Sequence, residues 1–318
     1  MVRRNSWEMN LKKQVSQEKF GNLYVDTHDP NCSYSLRFDT YGKGCYYNCK
    51  YCYSRALQAS RMGWYPNNPA VADIKEIFKI VKNKCQPDTV VRLGGMTDCF
   101  QPSERFKRVS YNLIRMLNKK RVHYLIVTRS PLVIEPDYLK VFDKELAHFQ
   151  ISIPTTDNDF IKRVSNAPSF EKGKEVVETL YSKGFDAGIR CSPFLYQTMD
   201  FDKFNNIEVE KCLVEFMRVT SIINKNFKKY MDLSDYTYGR GDFSYRHLPL
   251  DKKLEQIRKL DFKQLNICEE MPVHEAYFRK HVNCNPGMCC NLDLPKRVAK
   301  KYEVDLDNFK YLENESGN

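Results

Sequence analysis

Three cysteines, Cys45, Cys49 and Cys52, sit in the stretch Gly44-Cys45-Tyr46-Tyr47-Asn48-Cys49-Lys50-Tyr51-Cys52-Tyr53, spaced C-x3-C-x2-C. A loop this short can aim three thiolates at one point. That suits three irons of a [4Fe–4S] cube and leaves the fourth iron open to a small ligand. Zinc more usually takes four ligands as two pairs, and no second C-x2-C pair follows nearby. The plainer alternative is three structural cysteines.

The elements that must hold this loop read as a regular βα alternation. A strand over Ser35–Asp39 leads into the loop and a helix over Ser54–Ser60 follows it. Apolar Ile74, Ile77, Phe78 and Val81 predict a helix over Val71–Lys84. Strands are predicted at Thr89–Leu93, Val122–Val127, His148–Ile153, Asp186–Arg190 and Gln264–Ile267. Helices are predicted at Ser103–Asn118, Pro136–Asp143, Ser169–Ser182, Ile207–Ile223, Leu254–Leu260 and Pro295–Tyr302.

Six such units predict an α/β fold, a partial (βα)6 TIM-like barrel open on one side, with right-handed crossovers. The expected division is a polar lead-in over 1–33, holding an isolated Cys32, a barrel over 34–270, and a cysteine-containing C-terminal extension over 271–318. A less regular insertion over 225–249 interleaves Phe227, Tyr230, Tyr236, Tyr238, Phe243 and Tyr245 with Lys228, Lys229, Arg240 and Arg246. Chemistry in parallel barrels gathers at the C-terminal ends of the strands. Gly94, Gly95, Asp98, Cys99, Thr128, Arg129, Ser152, Arg190, Cys191 and Cys268 all fall there. Two glycines at a strand end let the backbone approach a ligand closely; a plain turn is the alternative.

With 318 residues, 42% of them hydrophobic, the chain can bury a large core. It has no apolar run of membrane-spanning length, and Met1–Gln17 lacks a secretory apolar core. A soluble, cytoplasmic protein without a membrane partner is expected. Twelve cysteines in such a chain point to metal or redox chemistry rather than disulfides. A net charge of +11 favours a polyanionic partner, DNA or RNA, and 20 Tyr and 19 Phe offer faces for base stacking. The competing reading places the lysines and tyrosines on solvated surface.

From about Leu36 to Leu195 the chain resembles the spore photoproduct lyase-like (DNA repair photolyase-like) branch of the radical S-adenosylmethionine (SAM) superfamily. The resemblance rests on the cysteine loop preceded by Tyr41-Gly42-Lys43-Gly44. It rests also on Thr97-Asp98-Cys99-Phe100-Gln101-Pro102-Ser103-Glu104, Thr128-Arg129-Ser130-Pro131, Ser152-Ile153 and Ala167-Pro168-Ser169. It implies a [4Fe–4S] cluster on Cys45, Cys49 and Cys52, with SAM on the open iron. Reductive cleavage of SAM to a 5′-deoxyadenosyl radical would follow, with electrons from a flavodoxin or ferredoxin-type donor. In that setting Gly94 and Gly95 offer carbonyls to the SAM ammonium, Thr128 lies at the same rim, and Ser152 faces the ribose. Arg129 or Arg190 pairs with the SAM carboxylate. Tyr47 and Tyr51 shield the cluster or face adenine.

The chain departs from the pattern where the family's namesake carries a cysteine just ahead of the comparable Asp. Gly95-Met96-Thr97 stands there, and the nearest thiol, Cys99, follows Asp98. Cys99, Cys191 and Cys268 are the candidate hydrogen donors. Cys268, Cys284, Cys289 and Cys290 form a second constellation, open to an auxiliary Fe–S cluster, to zinc or to no metal, with His274 and His281 as alternative partners. The substrate reading is a nucleobase in DNA or RNA, for repair or modification. Its rivals are radical chemistry on a peptide or small metabolite, and a non-enzymatic metal-containing nucleic-acid-binding protein.

Overall fold

The computed structural model describes residues 34, 36–55, 63–87, 89–237 and 245–294, with the backbone of two short strands at Lys19–Phe20 and Tyr24–Asp26. The expected helix over Pro295–Tyr302, Cys32, and Tyr238, Arg240 and Phe243 of the insertion lie outside the described residues.

The main sheet contains β1 (Tyr24–Asp26), β2 (Leu36–Phe38), β3 (Val90–Leu93), β4 (His123–Thr128), β5 (Ala147–Ser152), β6 (Asp186–Cys191), β7 (Lys211–Val214) and β8 (Gln264–Ile267). Its spatial order follows the sequence from β1 to β8. β1 pairs antiparallel with β2, and β2 to β8 are parallel throughout. A chain that always steps to the next neighbour with right-handed crossovers stacks its helices on one face and leaves the other face free.

Side chains divide accordingly, with the period of two that a strand imposes. Val91, Leu93, Tyr124, Ile126, Phe149, Ile151, Ile189 and Val214 belong to the large core shared with the helices. Those helices include α1 (Ile74–Lys84), α2 (Val109–Lys119) and α3 (Phe170–Ser182). The alternate residues Val90, Leu125, Val127 and Leu213 form a smaller apolar cluster on the opposite face. Cys290 and Leu292 close it from the C-terminal segment. Lys211 latches that segment down, pairing with Asp186 and Asp293 at 2.6 and 2.8 Å and bonding the Asn291 carbonyl at 2.8 Å.

The α/β architecture matches the expectation, with one parallel strand more than counted, β7, and the antiparallel β1 besides. The predicted helix over Ile207–Ile223 is instead β7, a short strand Val219–Thr220, and the start of α4 (Ser221–Phe227). β7 is buried on both faces, so Cys212-Leu213-Val214 shows no alternation, and its spacing with Ile207 and Met217 mimics a helix. Val71–Lys84 likewise divides: Ala70–Ala72 is a strand, and Asp73 caps α1 by accepting from the Lys75 N–H at 3.0 Å. Ser103–Asn118 breaks at Arg108, whose left-handed backbone (φ 50°) separates Glu104–Lys107 from α2.

In the 225–249 stretch Phe227 and Tyr236 are fully buried, while Lys228 and Lys229 point outward. These two aromatics are core, not a stacking surface. No described helix is long and apolar enough to cross a membrane.

Candidate active site

A cavity of about 440 Å³ opens at the C-terminal ends of the strands, and the helix Pro272–His281 contributes Glu275 and Arg279 to its wall. Cys45, Cys49 and Cys52 line it together with Gly94, Gly95, Thr128, Arg129, Ser152, Arg190 and Cys268. Two predicted catalytic candidates stand elsewhere. Cys99 and Cys191 are fully buried in the helix-side core, and the Cys99 thiol faces the Phe38 carbonyl at 3.5 Å. Strand parity decides this for Cys191, because it alternates with Arg190, and Arg190 faces the cavity.

The cysteine loop is shaped from within and clamped from outside. Asn48 takes a left-handed backbone (φ 45°) and its N–H reaches the Cys45 carbonyl at 3.0 Å. Gln101 Oε1 accepts the Tyr46 N–H at 2.8 Å, and Val164 O accepts the Lys50 N–H at 2.9 Å. Residues Tyr53–Arg55 are helical, and 56–60 of the expected helix lie outside the described residues.

The Thr97–Glu104 phrase accounts for much of the clamp. Asp98 accepts the Phe100 N–H (2.8 Å), the Thr128 hydroxyl (2.7 Å) and the Arg129 N–H (2.9 Å), tying the loops after β3 and β4 together. Glu104, fully buried, accepts from the Tyr41 and Tyr138 hydroxyls and from the N–H groups of Ser110 and Tyr111. Even so, burial pushes its carboxyl up to about 7. Just after β2, Asp39 Oδ1 accepts three successive N–H groups, of Gly95, Met96 and Thr97, at 2.8–3.0 Å.

Arg129 is the side chain aimed at the sulfurs. Its Nη1 donates to Cys49 Sγ at 3.4 Å and to the Tyr51 hydroxyl at 3.2 Å, and its Nη2 donates to Ser152 Oγ at 3.1 Å. Burial pushes the Cys52 thiol up to about 11 and the Cys45 thiol higher still. Such thiols are neutral unless a cation offsets the cost of their charge. Tyr47 and Tyr51 are buried beside them, and Tyr51 packs edge-on against Phe227 at 5.6 Å.

Among the described residues no three His, Cys, Asp or Glu side chains are arranged to hold a single metal ion. A cube asks something different, since each thiolate addresses its own iron. Three thiols on one wall, a guanidinium against one of them, and a cavity beside them fit that group.

Other expectations meet a more occupied site. The Gly94 carbonyl already accepts from Arg92 Nε at 3.1 Å, and the Gly95 carbonyl accepts from the Tyr53 hydroxyl. Gly94 is glycine for its φ of +87°. Gly95 is glycine for a different reason: a Cβ there would sit 1.8 Å from Arg37 Cδ. Arg190 donates to Gln150 Oε1 at 2.9 Å and pairs with Glu215, so its charge is already met. Glu215 also pairs with Arg218 and accepts from Ser192 Oγ at 2.8 Å. Burial alone would raise its carboxyl, but Arg218 and Arg190 hold it down at about 2.

Of the second constellation, Cys268, Cys289 and Cys290 come together and Cys284 does not. Cys268 and Cys289 line the cavity, and contacts with the Cys268 and Cys290 thiols drive the Cys289 thiol far above its ordinary range. Cys284 is exposed, with its sulfur 3.3 Å from Asn266 Oδ1. His274 is buried against Lys253 at 3.1 Å, and His281 lies on the Tyr277 ring.

The radical SAM superfamily model matches residues 40–210. An uncharacterized protein of Methanocaldococcus jannaschii is 24% identical over 279 residues, 82% of this chain and 99% of that protein. Among solved structures, a doubly substituted spore photoproduct lyase with bound AdoMet and dinucleoside spore photoproduct superposes with a TM-score of 0.59 at 15% identity, covering 85% of this chain and 81% of that one. A singly substituted spore photoproduct lyase gives 0.58 at 14% identity, covering 87% and 85%. The fold is therefore the one those enzymes share.

Proposed function

The chain belongs to the radical SAM superfamily, and from that premise we propose that Cys45, Cys49 and Cys52 hold its [4Fe–4S] cluster and that its substrate is a nucleobase in DNA or RNA. Membership makes it an enzyme that works with such a cluster and SAM. The observation that carries the assignment of residues is the single cavity shared by the three thiols, Arg129 and Ser152.

When bound, the cluster and SAM supply a reductive cleavage whose 5′-deoxyadenosyl radical takes a hydrogen atom from the substrate. The chain's own part is to bind, orient and exclude water. Arg129 donates to the Cys49 sulfur, and Asp98 fixes the backbone from which Arg129 projects. Thr128 is held by the same carboxylate, and Ser152, on the next strand, offers a hydroxyl to the ribose. Tyr47 and Tyr51 keep water from the sulfurs. Cys268, alone of the three candidate donors, lines the cavity, and in this reading it is the residue that returns hydrogen to a substrate radical.

Support for a nucleic-acid substrate comes from the +11 charge and from the dinucleoside spore photoproduct held by structures of similar fold. A base in a duplex must be extruded to reach a cavity, at about a few kcal/mol, so single strands and damaged sites are the easier targets. A flavodoxin or ferredoxin is the electron donor in this reading.

The test is anaerobic reconstitution with iron and sulfide, then dithionite and SAM, with chromatography for 5′-deoxyadenosine. Wild type should form it, and the Cys45→Ala, Cys49→Ala and Cys52→Ala variants should lose both iron and product. Single-stranded oligonucleotide should bind with an affinity that falls steeply with salt. A reconstituted wild type that yields no 5′-deoxyadenosine rejects the assignment. Salt-independent binding, or none, turns the substrate reading toward a peptide or small metabolite.

A further inference from the structure

We infer that Arg37 and Arg92 form an anion subsite in the cavity, one that takes a backbone phosphodiester of the substrate strand. The inference rests on the nucleic-acid reading above for the source of the phosphate, and on geometry for the subsite.

Arg37 of β2 and Arg92 of β3 are register partners on neighbouring parallel strands, and both line the cavity. Most other guanidinium groups of that wall are matched by carboxylates. Arg190 and Arg218 share Glu215, Arg218 also pairs with Glu270, and Arg279 pairs with Glu275. Arg129 is turned to Cys49, Tyr51 and Ser152.

Arg37 and Arg92 are different. Arg92 makes no ion pair with a described carboxylate. It is held in place by neutral acceptors, the Gly94 carbonyl at 3.1 Å and the Tyr34 hydroxyl at 2.9 Å, with its guanidinium 5.4 Å from the Tyr34 ring centre. Arg37 Nε is buried with no hydrogen-bond partner. It is ion-paired with Asp39, Nε to Oδ2 at 3.7 Å, a distance too long for a hydrogen bond, while Asp39 Oδ1 is committed to three backbone N–H groups.

A third donor belongs to the lining of the same cavity. Trp64 lines the cavity, and its Nε1 is also buried without a partner. An indole N–H and a guanidinium donate and cannot accept, so two donors without a hydrogen-bond partner, beside a second guanidinium that makes no ion pair with a described carboxylate, call for an acceptor-rich, anionic ligand. Two guanidinium forks on adjacent strands match the oxygens of a phosphate. The absence of a side chain at Gly95 keeps the Arg37 stem in this position.

The probes are a thymidylyl dinucleotide with its native phosphodiester, the same dinucleotide with a neutral methylphosphonate link, thymidine 5′-monophosphate and inorganic phosphate. Each is titrated calorimetrically against the full chain, with and without reconstituted cluster. The phosphodiester should bind at least about tenfold more tightly than its neutral analogue. Arg37→Gln should weaken the phosphodiester about ten- to a hundredfold and leave the neutral analogue unchanged. Arg37 has no hydrogen-bonded partner to lose on its Nε, so this variant should fold, and its melting curve checks that. Arg37→Lys, which keeps the charge and loses the fork, should fall between the two.

Equal affinity for charged and neutral dinucleotides, or an Arg37→Gln variant that binds the phosphodiester like wild type, overturns the subsite while leaving the nucleobase reading intact. Inorganic phosphate bound through Arg37, with no dinucleotide binding, keeps the subsite and rejects the nucleobase reading. Monophosphate bound as tightly as the dinucleotide overturns the strand as the source and assigns the subsite to a free nucleotide.

Discussion

Arg129 stands with its Nη1 3.4 Å from the sulfur of Cys49, and no carboxylate side chain among the described residues forms an ion pair with it. This half-buried guanidinium thus meets a sulfur instead of a carboxylate, and puts positive charge beside one of the three thiols that would bind iron. Its backbone is set by Asp98, and Asp98 is set by the Phe100 N–H and the Thr128 hydroxyl. Sulfur, guanidinium and carboxylate thus form one chain of contacts across three loops.

Replacing Arg129 by Gln should therefore affect the sulfurs before it affects the fold. Removing a charged hydrogen bond of this kind costs about 1.5–3 kcal/mol. The variant should bind iron less completely after reconstitution. Its 5′-deoxyadenosine formation per bound iron should fall about ten- to a hundredfold. Iron counts and absorbance spectra beside the product assay separate the two effects. Unchanged iron content and unchanged product would remove Arg129 from the site.

Glu104 makes a pH-dependent prediction. Burial raises its carboxyl from 4.5 to about 7, so the folded state holds a proton there that the unfolded chain has released. Between pH 4.5 and 7 the unfolded state binds fewer protons, and this group's contribution to stability falls as pH rises, by about 3 kcal/mol in all. His247, a buried histidine lowered to about 4, pulls the other way, since its contribution is lost as pH falls below 6.5. The comparison with Glu104→Gln isolates the carboxyl. Urea unfolding at pH 5, 6, 7 and 8 should show wild type losing stability relative to the variant as pH rises. A constant difference across the series would mean that Glu104 stays ionised.

The sequence made the cysteine loop legible because its chemistry is local, three thiols in one short turn. Most βα rhythm was legible too, since amphipathic helices such as Phe170–Ser182 carry their own cap, here Ser169 accepting from the Lys172 N–H. β7 was not, because burial on both faces erases the alternation that marks a strand. Arg37, Arg92 and Glu215 went unread as site residues although strand parity places them on the face of Gln150, Ser152 and Arg190. Parity becomes usable only when the strand bounds are right. Asp39, Gln101 and Glu104 act through backbone groups of distant loops, a partnership no local pattern records. The Cys268, Cys289 and Cys290 grouping depends on how the C-terminal segment crosses the sheet.

Glu215 predicts the opposite pH sign from Glu104. Burial opposes its ionisation, but Arg218 and Arg190 hold it at about 2. A depressed carboxyl contributes stability above its unfolded value of 4.5 and loses it as pH falls toward 2, about 3 kcal/mol in total. Glu215→Gln should be about 3–5 kcal/mol less stable at pH 7, because it leaves buried Arg190 without its carboxylate and Arg218 with Glu270 alone. Its stability should then change less than wild type's between pH 4.5 and 2.5. Parallel acid-unfolding curves for the two proteins would contradict the ion-pair account.

The cysteines should divide by reactivity according to the faces they occupy. Cys284 is exposed, Cys268 and Cys289 open onto the cavity, and Cys85, Cys99, Cys191 and Cys212 are buried in the helix-side core. A thiol must reach solvent as well as ionise in order to alkylate. In the cluster-free protein, limiting iodoacetamide followed by peptide mass spectrometry should label Cys284 first and Cys268 next. Cys99 and Cys191 should lag by about a hundredfold, because they react only through rare openings of the core. Adding the cluster should protect Cys45, Cys49 and Cys52 without altering Cys284. Early labelling of Cys99 or Cys191 would restore them as thiols that a substrate radical can reach. Their late labelling, with Cys268 accessible, leaves Cys268 as the thiol positioned to deliver hydrogen into the cavity.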